Sequence, residues 1–256
     1  MSLHRRPLNL CYPIYLSQQR KHRMTGIKER EVNDMKKGLT EVVFILDRSG
    51  SMRGLENETI GGYNSMLEKQ QKEDGDAVIS TILFDGVTEI LHDRADLKKM
   101  ESITDKDYYV RGNTALLDAL GSTIHRIGKI QKALPEDEKP EKTLFIITTD
   151  GMENASREYS FDKVKKMVEK KKAKNGWEFI FLGANIDAIE VAGRFGVEEN
   201  RAVNFKCDAG GVKLNYDVLS KVVGCARACK SSAAMSNMFE DSDMFAEIRE
   251  DFEERA

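Results

Sequence analysis

Apolar runs that each end in a polar loop constrain the fold of this chain more than any other feature. They lie at Glu41–Leu46, Ala77–Phe84, Thr143–Thr149 and Trp177–Leu182, with a shorter run at Ala202–Phe205. Strands that are apolar along their whole length are typical of parallel sheets covered on both faces. The runs therefore predict the buried strands of one parallel sheet.

Helical periodicity fills the segments between these runs, at about 55–72, 115–133, 161–174 and 212–230, with a shorter stretch ending near 195. Gly61 and Gly62 interrupt the first of these helices, and close packing of that helix on the sheet would explain them. Asp85-Gly86 predicts a two-residue hairpin turn with positive φ, and Val87–Leu91 then alternates like an antiparallel edge strand. We expect an α/β fold: a doubly wound, mostly parallel sheet with one antiparallel edge strand and helices on both faces.

Charge divides the chain into a core and two ends. Residues 1–37 carry nine basic side chains against three acidic ones, and residues 237–256 carry eight acidic against two basic. We therefore expect a basic, poorly ordered N-terminal extension at 1–37, one domain at 38–232 and an acidic, solvated C-terminal tail at 233–256. The tail is amphipathic, so it could dock on a partner or fold back on its own domain; its apolar residues at helical spacing are Met244, Phe245, Ile248 and Phe252.

Composition excludes several classes of partner. The formal net charge is −3, which gives no electrostatic reason to expect nucleic acid or a membrane surface as a partner. No run approaches the roughly 20 apolar residues that span a bilayer, and the apolar stretch near the N-terminus is too irregular for a secretory signal. We expect a cytoplasmic protein with free thiols. Cys225 and Cys229, four residues apart on a predicted helix, are expected to pack in the core.

Hard oxygen donors cluster where the predicted strands end. Asp47, Ser49 and Ser51 follow the first strand, Thr114 precedes a helix and Asp150 follows another strand. Ligands of doubly wound sheets bind at the carboxyl ends of the strands, and hydroxyl and carboxylate oxygens suit Mg²⁺ or Mn²⁺ better than zinc. Taken singly, the first loop could cap a helix and Asp150-Gly151 could be a turn. Together the five residues predict a divalent metal site.

The same segments resemble the von Willebrand factor type A (VWA) family, an intracellular bacterial-type member in particular. The resemblance lies in the Asp-x-Ser-x-Ser loop, Gly112-Asn113-Thr114-Ala115-Leu116-Leu117-Asp118-Ala119 and Thr148-Thr149-Asp150-Gly151, in the family's order, and covers about residues 41–230. It implies a Rossmann-like fold with a metal-ion-dependent adhesion site. Carried over by position, the hydroxyls of Ser49, Ser51 and Thr114 would bind the metal directly. The carboxylates of Asp47 and Asp150 would act through water, and an acidic residue of a partner protein would complete the coordination.

Five further polar residues are candidates for supporting or bordering the site. Asp118 lies one turn into the helix after Thr114, where we expect it to form a hydrogen bond that supports the Thr114 loop and not to contact the metal. The other four are Glu153, Asn154, Asn185 and Asp187, which could border the site or cap the helices that follow.

Enzymatic alternatives lack required residues. A metal-dependent hydrolase of the phosphatase type would use Asp47 as nucleophile, but it needs a second carboxylate where Ser49 stands. A serine hydrolase would need Gly-x-Ser-x-Gly and an orienting histidine, and no glycine-rich nucleotide loop is present. We therefore expect a binding module and not an enzyme, with a scaffold that acts through its tails as the other alternative.

The acidic tail adds a possibility of self-association. Its carboxylates could supply the metal ligand in cis or from a second copy of the chain; they belong to Glu240, Asp241, Asp243 and Glu247.

Overall fold

The computed structural model describes residues 38–255, so the predicted extension at 1–37 lies outside the described residues. The strands are β1 (Thr40–Asp47), β2 (Ala77–Phe84), β3 (Thr88–Asp96), β4 (Lys142–Thr149), β5 (Glu178–Gly183) and β6 (Ala202–Asn204). The helices are α1 (Glu56–Lys72), α2 (Leu116–Ala133), α3 (Phe161–Asn175), α4 (Ala188–Arg194), α5 (Ala209–Ala228), α6 (Ser232–Asp241) and α7 (Ala246–Glu254).

The strands form one sheet in the order β3-β2-β1-β4-β5-β6. All neighbouring pairs are parallel except β2 and β3. Side chains of β1 alternate between two core layers, so that Phe44 faces one layer and Ile45 the other. Helices α1, α5, α6 and α7 contribute to the first layer, and α2, α3 and α4 to the second. The predicted doubly wound α/β fold with an antiparallel edge strand is confirmed.

The centre of the sheet is where its connections diverge. From β1 the chain passes through α1 to β2 on one side, while β4 follows α2, which covers the opposite face. The strand order therefore reverses between β1 and β4, and this is the position at which doubly wound sheets bind ligands. The loops that follow Asp47 and Thr149 lie there side by side.

The glycine pair in α1 packs differently from the expectation. A Cβ at Gly62 would lie 2.3 Å from the ring of Tyr216 on α5, whereas a Cβ at Gly61 would have nothing within 4 Å. The close contact is thus between two helices and not between α1 and the sheet, and it accounts for Gly62 alone.

The β2–β3 turn also differs from the prediction. The Asp85 amide donates to the Val87 carbonyl at 3.1 Å, and the Asp85 carboxylate accepts from the Val87 amide at 2.9 Å. Neither Asp85 nor Gly86 has positive φ, because the aspartate side chain closes the turn instead. Strand β3 continues to Asp96, beyond the predicted end at Leu91.

The acidic C-terminal segment packs as part of the domain. Helices α6 and α7 bury four apolar side chains in the layer formed with α1 and α5, namely Met235, Phe239, Phe245 and Ile248. The expectation of a solvated tail at 233–256 is therefore wrong for its apolar side, because those residues continue a packed helical face. The amphipathic stretch was expected either to dock on a partner or to fold back on its own domain, and in the structure it folds back on its own domain.

None of the described helices combines the length and the apolar character needed to cross a membrane. Cys207, Cys225 and Cys229 are free thiols. Cys225 is exposed, so its predicted core packing is wrong: Val222, Val223 and Ala226 occupy the buried positions of α5 instead.

Candidate metal centre

Asp47 ends β1 as a buried and fixed carboxylate. Its Oδ1 accepts from the Ser49 amide at 2.6 Å, and its Oδ2 accepts from the Thr149 hydroxyl at 2.6 Å. Tyr108 donates its phenol hydroxyl to the Asp47 carbonyl at 2.6 Å. Burial raises the pKa of Asp47 to about 6, against the hydrogen bonds from Thr149 and Ser49 and with the help of the nearby Asp150 carboxylate. The ionised form is desolvated, so a neighbouring cation would stabilise it.

Three hydroxyls form a row beside this carboxylate. Thr114 Oγ1 donates to Ser49 Oγ at 3.0 Å, and Ser49 Oγ lies 2.9 Å from Ser51 Oγ. Ser51 Oγ donates to Asp150 Oδ1 at 2.5 Å. Ser49 and Thr114 are buried, whereas Ser51 is exposed. The fold thus brings the oxygens of three separate loops together, and we call the three hydroxyls the hydroxyl cluster.

Asp150 is the second buried carboxylate of the centre. Burial raises its pKa, against the hydrogen bonds from Ser51 and from the Cys207 thiol, whose Sγ lies 3.6 Å from Oδ2. Within residues 38–255, neither Asp47 nor Asp150 forms an ion pair with a basic side chain. Two neighbouring buried carboxylates therefore have no cationic partner in the described part of the chain.

The donor set fits a hard divalent cation. All the polar side-chain atoms gathered here are oxygens, apart from the Cys207 thiol, and Mg²⁺ and Mn²⁺ prefer oxygen ligands. Gly151 keeps the space beside them open, since a Cβ there would lie 2.9 Å from Ser51 Oγ and 3.3 Å from Thr114 Oγ1. In the described part of the chain no three His, Cys, Asp or Glu side chains are grouped as metal ligands. A metal in this centre would therefore depend on the hydroxyls.

Glu153 and Asn154 hold the start of α2 in place. Glu153 Oε2 accepts from the Leu117 amide at 2.9 Å, which satisfies one of the free donors of the first helical turn. Asn154 forms two hydrogen bonds with the backbone of Thr114. Its side-chain Oδ1 accepts from the Thr114 amide, and its backbone amide donates to the Thr114 carbonyl, each at 3.0 Å. Both residues support the centre and neither reaches the hydroxyl cluster.

Asp118 supports a different loop from the one expected. Its carboxylate accepts from the backbone amides of Arg157, Glu158 and Tyr159 at 2.8–2.9 Å. It therefore fixes the loop that leads into α3, while the Thr114 loop is held by Asn154.

The two candidates after β5 have separate roles. Asn185 is exposed, adopts φ +55°, and donates its amide to the Asp150 carbonyl at 3.4 Å, so it borders the centre. Asp187 is the N-cap of α4 and accepts from the Glu190 amide at 3.0 Å. Asp187 is thus a helix cap and contributes nothing to the hydroxyl cluster.

An arginine network lies beside the centre and was not predicted from the sequence. Arg48 is fully buried; its Nε donates to Asp85 Oδ2 at 3.0 Å and its Nη2 to Glu89 Oε2 at 2.5 Å. Arg111 donates through Nε to the same Asp85 oxygen at 2.6 Å. These arginines hold the pKa of Asp85 below its usual range against burial, with help from the Val87 amide. Opposite charges in neighbouring strand-end loops were the signal that could have revealed this network.

Backbone bonds join the same loops. The Gly50 amide donates to the Gly112 carbonyl at 3.2 Å, and the Arg111 amide donates to the Arg48 carbonyl at 2.9 Å. The loop that carries Ser49 and Ser51 is therefore fixed against the loop that carries Thr114.

Known structures share this architecture. The vWF domain of the type V pili tip protein Mfa5 from Porphyromonas gingivalis matches with a TM-score of 0.54 and 11% identity, over 74% of this chain and 96% of that one. The PilB minor pilin from Streptococcus sanguinis matches with a TM-score of 0.53 and 11% identity, over 73% of this chain and 62% of that one. This chain has the fold of a VWA domain.

A third known structure with this architecture was solved with a metal ion. Proximal thread matrix protein 1 from the mussel byssus, solved with a zinc-occupied MIDAS motif, matches with a TM-score of 0.52 and 16% identity, over 74% of this chain and 46% of that one. This chain spans less than two thirds of the length of the mussel protein, and less than two thirds of the length of the pilin. No protein-family model and no curated protein matches this sequence. At these identities the likeness shows the fold alone.

Proposed function

We propose that this VWA domain is a divalent-metal-dependent binding module that captures a carboxylate of a partner protein. The observation that carries the proposal is the hydroxyl cluster, in which Ser49 Oγ lies 2.9 Å from Ser51 Oγ and 3.0 Å from Thr114 Oγ1. Beside it lie two buried carboxylates without a cationic partner in the described residues. The match to a mussel protein with a zinc-occupied MIDAS motif supports the proposal.

The five candidate residues would hold the metal in two ways. Ser49, Ser51 and Thr114 would bind Mg²⁺ or Mn²⁺ directly, and Asp47 and Asp150 would act through water. When bound, the metal supplies an electron-poor centre for an incoming carboxylate. Because neutral hydroxyls do not cancel the charge of the ion by direct contact, such a carboxylate would add a strong charge–charge contact. The two aspartates orient the site through their bonds to Ser49, Ser51 and Thr149.

Capture of a partner with and without metal tests the proposal. We expect the wild-type protein to retain partners from a native extract in Mg²⁺ and to release them in EDTA. Thr114→Val removes one hydroxyl at constant shape and should abolish the Mg²⁺-dependent fraction. Thr123→Val is the matched control, since the Thr123 hydroxyl is buried in α2 and bonds only to the Ala119 carbonyl.

Two results would contradict the proposal. Partner capture that survives EDTA would show that the domain acts as a scaffold without metal bridging. Capture in Mg²⁺ that Thr114→Val leaves unchanged would show that the hydroxyl cluster does not hold the metal.

The same geometry predicts that Asp47, Ser49 and Ser51 do not catalyse hydrolysis. Ser49 Oγ bonds to the Ser51 and Thr114 hydroxyls and to no histidine of the described chain, so no general base activates it. We expect no Mg²⁺-dependent turnover of p-nitrophenyl phosphate or p-nitrophenyl acetate above a protein-free blank. Turnover that is present in the wild type and lost in Asp47→Asn would overturn this prediction.

A further inference from the structure

Exposed apolar side chains gather at one edge of the molecule. Within residues 38–255, four large apolar side chains are exposed: Met152 (71%), Val87 (58%), Ile90 (42%) and Tyr109 (40%). Single apolar residues scattered over a surface are ordinary. These four, however, all lie at or near the carboxyl ends of the parallel strands, where the hydroxyl cluster is. A shared position next to a candidate site indicates a contact surface.

Met152 and Tyr109 belong to the two loops that carry Asp150 and Thr114. Met152 follows Gly151, whose Cβ position is 2.9 Å from Ser51 Oγ. Tyr109 belongs to the loop that hydrogen-bonds to the Ser49–Ser51 loop through Gly112 and Gly50. A chain segment that binds at the hydroxyl cluster would therefore lie close to both loops.

Tyr109 is held rigidly for such a contact. The guanidinium groups of Arg48 and Arg111 lie 5.2 and 5.3 Å from the centre of its ring, and Arg111 Nη1 donates to its hydroxyl at 3.2 Å. Arg48 is itself fixed by Asp85 and Glu89. A rigid aromatic ring loses little conformational entropy on binding, whereas the flexible thioether of Met152 adapts to its partner.

Val87 and Ile90 extend the apolar surface from Tyr109 towards the edge strand. Val87 lies in the turn that the Asp85 side chain closes, and Arg111 binds the same carboxylate. Ile90 pairs with Ile82, near the end of β2. Asp85 and Arg111 therefore connect Val87 with Tyr109 beside the candidate metal centre.

We infer that the captured carboxylate belongs to a protein segment in which apolar residues flank the acidic residue, and that Tyr109 and Met152 select this segment. The inference rests on the proposed function and adds the chemistry of the partner to it. A small free carboxylate would leave both side chains in water. A flanked acidic residue covers them and gains their burial.

Selection from a library of displayed random peptides tests the inference. The full chain is immobilised in Mg²⁺, and bound peptides are eluted with EDTA, so that only metal-dependent binders are recovered. We expect the recovered peptides to share an acidic residue with apolar neighbours. The affinity of the synthesised peptides is then measured for the wild type, Met152→Gln and Tyr109→Ser. Lys170→Gln, at an exposed position of α3, is the control.

The inference predicts that Met152→Gln and Tyr109→Ser each weaken peptide binding about tenfold, as the loss of one buried apolar side chain should, while Lys170→Gln has no effect. Peptides that share the acidic residue but have random neighbours would overturn the inference and leave the proposed function standing. Wild-type affinity in both Met152→Gln and Tyr109→Ser would also overturn the inference and leave the proposed function standing. If EDTA elutes no peptides, the proposed function and the inference both fail.

Discussion

At the residue scale, the hydroxyl cluster depends on Gly151, which has no side chain to fill the space beside it. Gly151 follows Asp150 directly, and its φ is not positive, so alanine would fit its backbone. The Cβ of such an alanine would nevertheless lie 2.9 Å from Ser51 Oγ, which is too close for either atom to stay in place. The glycine is therefore required by the site and not by the turn.

We predict that Gly151→Ala lowers the affinity for Mn²⁺ about tenfold, the size of effect seen when groups that orient metal ligands are disturbed, with little change in the melting temperature. Gly86→Ala is the matched control, because a Cβ at Gly86 would have nothing within 4 Å. Metal titrations and thermal melts of the two variants give the comparison. Wild-type affinity in Gly151→Ala would place the metal away from Ser51 and Thr114.

At the element scale, neighbouring glycines of α1 make opposite predictions. Gly61→Ala fills open space in a helix and should stabilise the fold by about 0.5–1 kcal/mol. Gly62→Ala places a Cβ 2.3 Å from the Tyr216 ring and should destabilise it by about 1–3 kcal/mol, because α1 and α5 must separate. Denaturant unfolding of both variants measures the two free energies. Equal effects would mean that the α1–α5 contact does not limit packing.

The elements were predictable to the extent that local patterns fix them. The strand ends agree with the apolar runs to within a residue or two, as in β2, which spans Ala77–Phe84 both in the prediction and in the structure. A strand that is buried on both faces is apolar along its whole length, and such a run is recognisable from the sequence alone. The five candidate metal-site residues could be proposed from the sequence because each stands close to a strand end or a helix start.

Contacts between residues distant in the chain are not encoded in local periodicity. Arg48 pairs with Asp85 and Glu89, and Thr149 bonds to Asp47, across separations that no periodicity encodes. Similarly, Gly62 is explained only by Tyr216, more than half the described chain away.

At the scale of the whole molecule, the acidic C-terminal segment lies away from the metal centre. Glu240 pairs with Arg201 at 2.7 Å, and Arg201 also pairs with Glu178, the first residue of β5. These contacts are at the amino ends of the strands, opposite the hydroxyl cluster. Asp243 pairs with Arg249 and Glu247 with Lys221. In this arrangement three of the four tail carboxylates form ion pairs away from the hydroxyl cluster, and the fourth, Asp241, ends α6 next to Glu240.

We therefore predict that the combined variant Glu240→Gln, Asp243→Asn and Glu247→Gln captures partners in Mg²⁺ as well as the wild type does and has the same oligomeric state by light scattering. Increased capture, or a smaller oligomer in Mg²⁺ but not in EDTA, would show that these carboxylates do reach the metal centre, in cis or from a second copy.

Truncation would not make this distinction, since removal of 237–256 also takes Phe239, Phe245 and Ile248 out of the core. Phe239→Ala alone should cost about 3–5 kcal/mol of unfolding free energy, as truncation of a fully buried phenylalanine does. Denaturant unfolding measures this cost. A loss below about 1 kcal/mol, the size expected for a surface position, would mean that α6 and α7 are not part of the folded domain.

The most direct measurement is calorimetric titration of the full chain with Mg²⁺ and Mn²⁺, beside Asp47→Ala. We predict one site for the wild type, with a dissociation constant of roughly 10⁻⁴–10⁻³ M, as expected for an oxygen site in which few charged groups touch the ion directly. Asp47→Ala should bind neither ion at that site, because Ser49 and Thr149 lose the carboxylate that positions them. Equal binding by the wild type and Asp47→Ala would contradict the assignment of the metal to this centre.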